Sequence, residues 1–151
     1  MLKEGDKAPD IRVRTDTGEE FRLSSLKGRR VVLYFYPRAD TPGCTVEACE
    51  FRDGIKSFAK KGAAVVGVSP DKPAVQAKFK GKYDLPFTLL ADEEKAAAQA
   101  YGVWKEKNLY GKRVMGIARS TFVIGPDGKI ERVYQNVKAK GHAAQVLADL
   151  G

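Results

Sequence analysis

The sequence predicts an α/β protein, a mixed central β-sheet flanked by helices on both faces, with a β-hairpin at its N-terminus. Three observations predict it. Residues 30–36 and 63–69 are continuous apolar, β-branched and aromatic runs, the composition of strands buried on both faces. Helical periodicity follows each run, the strand–helix alternation of layered α/β folds. Near the C-terminal end, residues 120–124 and 129–134 flank Gly125-Pro126-Asp127-Gly128, a turn that joins antiparallel strands.

The elements follow in order. Ile11 and Val13, the turn at Thr17-Gly18, then Phe21 and Leu23 form the opening hairpin. After the strand at 30–36, a helix is predicted from Pro42 to Lys61, closed by Gly62. The second buried strand covers 63–69. A short helix at 73–82, a strand at 87–90 and an Ala-rich helix at 93–101 come next. Residues 102–116 hold three glycines and no clear period, which predicts a loop. A last helix spans 140–150, and the parallel crossovers are expected to be right-handed.

Length and charge narrow the function. At 151 residues the chain fits a single domain over 1–151. Its longest apolar run, 31–36, is far short of a membrane span. The opening MLKEGDKAPD lacks the apolar stretch of a secretion signal. The expected location is therefore cytoplasmic, where a disulfide is more often catalytic than structural. The net charge is +8, from 27 Lys and Arg against 19 Asp and Glu. These cations are scattered; the densest run, 105–113, carries Tyr110 and follows Trp104 without forming a nucleic-acid motif. A solvated surface is expected and no nucleic-acid partner.

Both cysteines, Cys44 and Cys49, lie in YPRADTPGCTVEACEF at 36–51. Thr41 suits the N-cap and Pro42 the first helical position, which makes Cys44 the third helical residue. Unpaired N–H groups and the positive end of the helix dipole favour a thiolate there, and the thiolate is the nucleophilic form. At about 100° per residue, Cys44, Ala48, Phe51, Ile55 and Phe58 form one apolar stripe, with Cys49 about 140° away from Cys44 on the polar side. Five residues of helical rise separate the two Cα atoms by roughly 8–9 Å. A disulfide needs about 7 Å or less, so the pair bonds only if the helix unwinds. Two readings stand at this point. Either both are ordinary helix residues, or Cys44 is oxidised by a substrate and Cys49 attacks it afterwards. Gly43 and Gly54 would ease such unwinding.

Pro37-x-x-x-Thr41-x-x-Cys44 resembles the active-site signature of peroxiredoxins. The wider Thr-Pro-Gly-Cys-Thr-x-Glu-Ala-Cys at 41–49 is similar to the bacterioferritin comigratory protein branch, also called peroxiredoxin Q. GDKAPD near the start, VVGVSPD at 65–71, RSTFVIGPDGKI at 119–130 and Gly141-His142 extend the likeness. The resemblance implies a thioredoxin-like fold and an antioxidant thiol peroxidase acting on hydrogen peroxide and organic hydroperoxides. It makes Cys44 the peroxidatic cysteine and Cys49 the resolving one, joined in an intramolecular disulfide. Thr41 Oγ would hold thiolate and peroxide, and Pro37 would shield them from water. The fixed charge of Arg119 would stabilise the thiolate and the charge developing on the breaking O–O bond.

The implied partners are the peroxide and thioredoxin or a similar dithiol reductant, with no metal, no organic cofactor and no membrane. An intramolecular disulfide needs no second subunit, so a monomer is expected. Glu47 matches the motif and equally reads as a carboxylate supporting a helix N-terminus. Trp104 and Tyr110 could border the pocket, although core or loop packing is the expected role. Three rival functions fit less well. A zinc module would need more than two cysteines and His142. A dithiol oxidoreductase would show Cys-x-x-Cys, and a nucleic-acid binder would show steeply salt-dependent affinity.

Overall fold

A computed structural model describes residues 2–151. Its frame is a seven-stranded sheet in the order β2-β1-β5-β4-β3-β8-β9. The strands are β1 (Arg12–Thr15), β2 (Glu20–Arg22), β3 (Arg30–Phe35), β4 (Ala63–Ser69), β5 (Thr88–Ala91), β8 (Ser120–Ile124) and β9 (Ile130–Tyr134). β3 runs parallel to β4, and β4 to β5. β1 against β5 and β2, and β8 against β3 and β9, are antiparallel. The mixed sheet and the N-terminal hairpin are as the sequence predicts.

The pleat divides the buried run of β3 between two cores. Val31, Leu33 and Phe35 pack with Val66, Val68, Leu90, Phe122 and Tyr101 on one face. Val32, Tyr34 and Tyr36 pack with Cys44, Ala48, Phe51, Phe58, Phe79 and Val146 on the other. Alternate side chains point to opposite faces, so an unbroken apolar strand signals cover on both sides. The second face is covered by α1 (Pro42–Asp53), α2 (Ile55–Lys60), α3 (Pro73–Tyr83) and α5 (His142–Asp149).

Three expectations need correction. The helix predicted over 42–61 is interrupted at Gly54, which has φ −93° and ψ 1°. The ladder carries on across it, from Gly54 N–H to the Glu50 carbonyl and from Phe58 N–H to the Gly54 carbonyl. The Phe58 ring lies 3.4 Å from the place a Cβ would occupy, an ordinary contact. The Ala-rich helix is only α4 (Ala96–Ala100). The buried Asp92 carboxylate accepts from the N–H groups of Ala97 and Ala98 and sets where it starts.

The predicted loop at 102–116 is largely a β-hairpin, β6 (Trp104–Leu109) and β7 (Lys112–Ile117). Tyr110 and Gly111 both have positive φ, 52° and 79°, the two-residue turn whose twist matches paired strands. Most of its side chains are exposed on both faces, so no apolar alternation marks it in the sequence. Among the described residues no helix is long and apolar enough to cross a membrane.

Candidate active site

The site forms where β3 ends and α1 begins. The antiparallel register of β3 and β8 sets Ser120 opposite Phe35, which brings the preceding residue, Arg119, to the chain entering α1. That entering loop is fastened on two sides. Ala39 N–H donates to Asp71 Oδ2 at 2.7 Å, which also accepts from Ser69 Oγ at the end of β4. Asp40, at φ 59°, accepts from Lys82 Nζ and Tyr83 Oη of α3, each at 2.8 Å. Positive φ is uncommon outside glycine, and here two hydrogen bonds hold it.

Thr41 is the N-cap of α1 by position and Pro42 its first residue, but Thr41 makes no side-chain cap bond. Its hydroxyl donates instead to the Arg38 carbonyl at 2.8 Å. Pro37 is partly buried at the start of the same loop.

Cys44 is buried, with 2% of its surface exposed, and Arg119 Nη2 lies 3.3 Å from its Sγ. Arg119 Nη1 donates to Glu47 Oε1 at 2.7 Å. Glycine at position 43 leaves this approach unhindered: a Cβ there would stand 3.2 Å from Nη2, close enough that the guanidinium would have to shift slightly. The Arg119 carbonyl accepts from Val137 N–H, which fixes the backbone behind the guanidinium. A buried sulfur on the first turn of a helix with a guanidinium against it has surroundings of the kind that favour cysteine reactivity.

Glu47 is wholly enclosed. Burial raises its pKa from 4.5 to about 7, with Arg119 pulling the other way and Glu50 adding to the rise. Only one of its oxygens is satisfied; Oε2 has no partner. Burial opposes the charge of Arg119, yet Glu47 and Cys44 together hold it above its ordinary value. Tyr34 Oη is the other unpartnered buried atom among the described residues. Burial, then the charges of Tyr36, Glu47 and Cys44, push it well above the phenol range.

Both cysteines are free thiols, and Cys49 is half-buried rather than fully turned to solvent as its helical position predicts. Its stretch of α1 is tied down. Arg52 Nη1 donates to the Tyr83 carbonyl at 2.8 Å. Glu50 Oε1 accepts from Gly141 N–H at 2.8 Å, at the start of α5. The Phe51 ring meets His142 edge-on, and His142 Nε2 bonds Thr121 Oγ1 at 2.7 Å.

Of the residues singled out in the sequence, the structure joins Cys44 with Arg119 directly and sets Thr41 and Pro37 in the adjoining loop. It does not bring Tyr110 to the site: that side chain is 98% exposed at the hairpin tip. Trp104 packs at the edge of the first core beneath Lys95. The sequence left Glu47 undecided, although three residues after Cys44 it shares a helix face with it. Lys107, which is partly buried and feels the charges of Arg119 and Cys44, went unnoticed because its segment has no period. Among the described residues no group of three or more His, Cys, Asp or Glu side chains could hold a metal ion.

Comparison with known proteins places this geometry among relatives. The model of the AhpC/TSA family matches residues 4–133. Peroxiredoxin Bcp of Bacillus subtilis is 50% identical over 97% of this chain and 93% of its own length. Peroxiredoxin Bcp of Escherichia coli K12 is 45% identical over 97% and 94%. A solved cysteine-to-serine mutant of Xylella fastidiosa PrxQ superposes with a TM-score of 0.94 at 34% identity, covering 99% of this chain and 96% of that one. The bacterioferritin comigratory protein of Xanthomonas campestris, solved in connection with its alkyl peroxide reduction activity, gives 0.89 at 39% identity over 93% and 89%.

Proposed function

The chain belongs to the AhpC/TSA family and to its Bcp/PrxQ peroxiredoxins, which makes it a thiol peroxidase with a thioredoxin-like fold, and we propose that Cys44 is its peroxidatic cysteine and Cys49 its resolving one. Cys44 Sγ attacks the distal oxygen of the peroxide, the S–O bond forms, the O–O bond breaks, the sulfur becomes a sulfenic acid and the proximal oxygen takes up a proton and leaves as water or alcohol. Cys49 then attacks that sulfur, water leaves and an intramolecular disulfide results. Thioredoxin or a similar dithiol protein reduces it and restores both thiols.

The observation that carries this reading is Arg119 Nη2 at 3.3 Å from Cys44 Sγ, a fixed cation on a buried sulfur at a helix start. It stabilises the thiolate and the charge that grows on the breaking O–O bond. Thr41 orients the peroxide once its hydroxyl turns from the Arg38 carbonyl, and Pro37 keeps water off the sulfur. The alkyl peroxide reduction of the Xanthomonas relative supports organic hydroperoxides beside hydrogen peroxide as substrates. The enzyme works as a single-domain monomer in the cytoplasm, without metal or organic cofactor.

Resolution requires α1 to unwind, since helical geometry keeps the two Cα atoms roughly 8–9 Å apart and a disulfide tolerates about 7 Å. The bonds of Arg52 to Tyr83 and of Glu50 to Gly141 lie in the segment that lets go.

Peroxide consumption with thioredoxin, its reductase and NADPH tests the assignment. Cys44→Ser should abolish turnover, and Cys49→Ser should reduce one equivalent of peroxide without normal recycling. Full activity in Cys44→Ser would sink it. Amide exchange over 42–50 should quicken on oxidation; unchanged exchange in a protein whose disulfide is established by mass refutes the unwinding step.

A further inference from the structure

A sulfenic acid on Cys44 meets two competing reactions. In one, Cys49 attacks the sulfur, an S–S bond forms, the S–O bond breaks and the oxygen leaves as water. In the other, the sulfur takes an oxygen from a second peroxide, whose O–O bond breaks to give water or alcohol, and becomes a sulfinic acid. The first needs α1 to open and the second does not. Whatever holds α1 closed therefore weighs one against the other.

The last two residues of α3 hold α1 at both ends. Just before α1, the Asp40 carboxylate accepts from Lys82 Nζ and Tyr83 Oη, each at 2.8 Å. Near its other end, Arg52 Nη1 donates to the Tyr83 carbonyl at 2.8 Å. Cys44 and Cys49 both lie between Asp40 and Arg52 in the chain, so Tyr83 alone ties down either side of the redox segment. Asp40 has φ 59°, a conformation that persists in such a residue only while its surroundings enforce it. The support itself is firm. Gln76 of α3 is buried, accepts from Tyr36 Oη at 2.6 Å and donates to the Leu90 carbonyl at 2.8 Å. Phe79 is 1% exposed and meets the Tyr83 ring edge-on. The bonds to Asp40, in contrast, lie at the surface. Exposed pairs are individually weak, so these break in each cycle without disturbing the core and still change a rate several-fold.

We propose that Tyr83 and Lys82 are positioning residues that hold α1 closed through Asp40, and so set how long the Cys44 sulfenic acid waits for Cys49 and at what peroxide concentration it is over-oxidised. The inference rests on the assignment of Cys44 as peroxidatic and Cys49 as resolving. Neither Tyr83 nor Lys82 touches the reacting sulfur; both act on the opening that precedes the S–S bond.

The test separates the steps of one cycle. Reduced wild type, Tyr83→Phe and Lys82→Met are mixed with one equivalent of hydrogen peroxide. Samples are quenched over time with a thiol alkylator and a dimedone-type trap, and the sulfenic and disulfide forms are followed by mass. A second series uses rising excesses of peroxide without reductant and measures the sulfinic form. Both variants should form sulfenic acid at the wild-type rate and the disulfide about fivefold faster, the effect of one typical hydrogen bond. The peroxide concentration that over-oxidises half of the protein should rise by the same factor, because it is the ratio of the two competing rates. Val133→Ala controls for general destabilisation: it trims a side chain packed on the first core, across the sheet from α1, and should resolve as wild type does. Disulfide formation at the wild-type rate in either variant would overturn the proposal. So would an acceleration that Val133→Ala reproduces, or a change in sulfenic acid formation as large as that in resolution. A wild type that oxidises Cys44 without ever joining it to Cys49 removes the resolving assignment itself, and this inference with it.

Discussion

Replacing Glu47 with Gln separates burial from ion pairing at the active site. Glu47 is 0% exposed, and burial, opposed by Arg119, lifts its pKa from 4.5 to about 7. A folded value above the unfolded one fixes the sign. The stability it contributes is complete below pH 4.5, erodes as the pH rises, and is gone above about 7. At 1.36 kcal/mol per pH unit the change amounts to about 3 kcal/mol. Gln has nearly the same shape and does not titrate. The stability of Glu47→Gln relative to wild type should therefore rise by about 3 kcal/mol between about pH 4.5 and about pH 8. Titrating groups distant from Glu47 are common to both proteins and cancel. Urea unfolding of the reduced proteins, followed by far-UV circular dichroism across that range, measures the difference. A flat difference, or one falling with pH, would refute the reasoning, because Arg119 would then outweigh burial and Glu47 would be a stabilised carboxylate.

Three further outcomes follow from the same packing. Burial lowers His142 from 6.5 to about 4, with Gln145 opposing and Arg119 assisting. Its contribution is complete above pH 6.5 and is lost as the pH falls toward 4, so His142→Gln should flatten the acid side of the stability profile; an unchanged acid side would mean that His142 charges freely in the fold. Tyr34→Phe removes a buried hydroxyl without a partner and should stabilise the protein by about 1 kcal/mol in thermal or urea unfolding, whereas a clear loss would mean that the hydroxyl is bonded. Gly67→Ala places a Cβ 2.9 Å from Tyr34 Cζ and Oη and 3.0 Å from Leu89 Cδ2. It should cost about 1–3 kcal/mol, and less in the Tyr34→Phe background, a coupling that a double-mutant cycle reads directly.

Much of this fold is legible before any coordinates, because burial on two faces leaves a local imprint. The runs ending at Tyr36 and Ser69 read as strands since each of their faces must be apolar. Pro42 after Thr41 reads as a helix start since proline lacks only an N–H that the first turn does not use. That reading already places Cys44 among unpaired N–H groups, and the resemblance in the same segment brings in Arg119. The helix break at Gly54 is less legible, because glycine weakens a helix without dictating where it breaks. The hairpin at Trp104–Ile117 is silent, since strands exposed on both faces need no alternation of apolar and polar residues.

What the sequence by itself determined was the buried strands and the helices between them, the position of Cys44 on the first turn of α1 and the conflict between a helix and a Cys44–Cys49 disulfide. All of these follow from residues near one another in the chain. What only the tertiary structure decided was distance across the chain. Arg119 reaches Cys44 from 75 residues away because the β3–β8 register sets Ser120 opposite Phe35. The same register leaves Glu47 enclosed against that guanidinium, and the chain just before Arg119 forms the hairpin that carries Lys107. Register depends on the summed packing of whole strands, and no local stretch of residues encodes that sum.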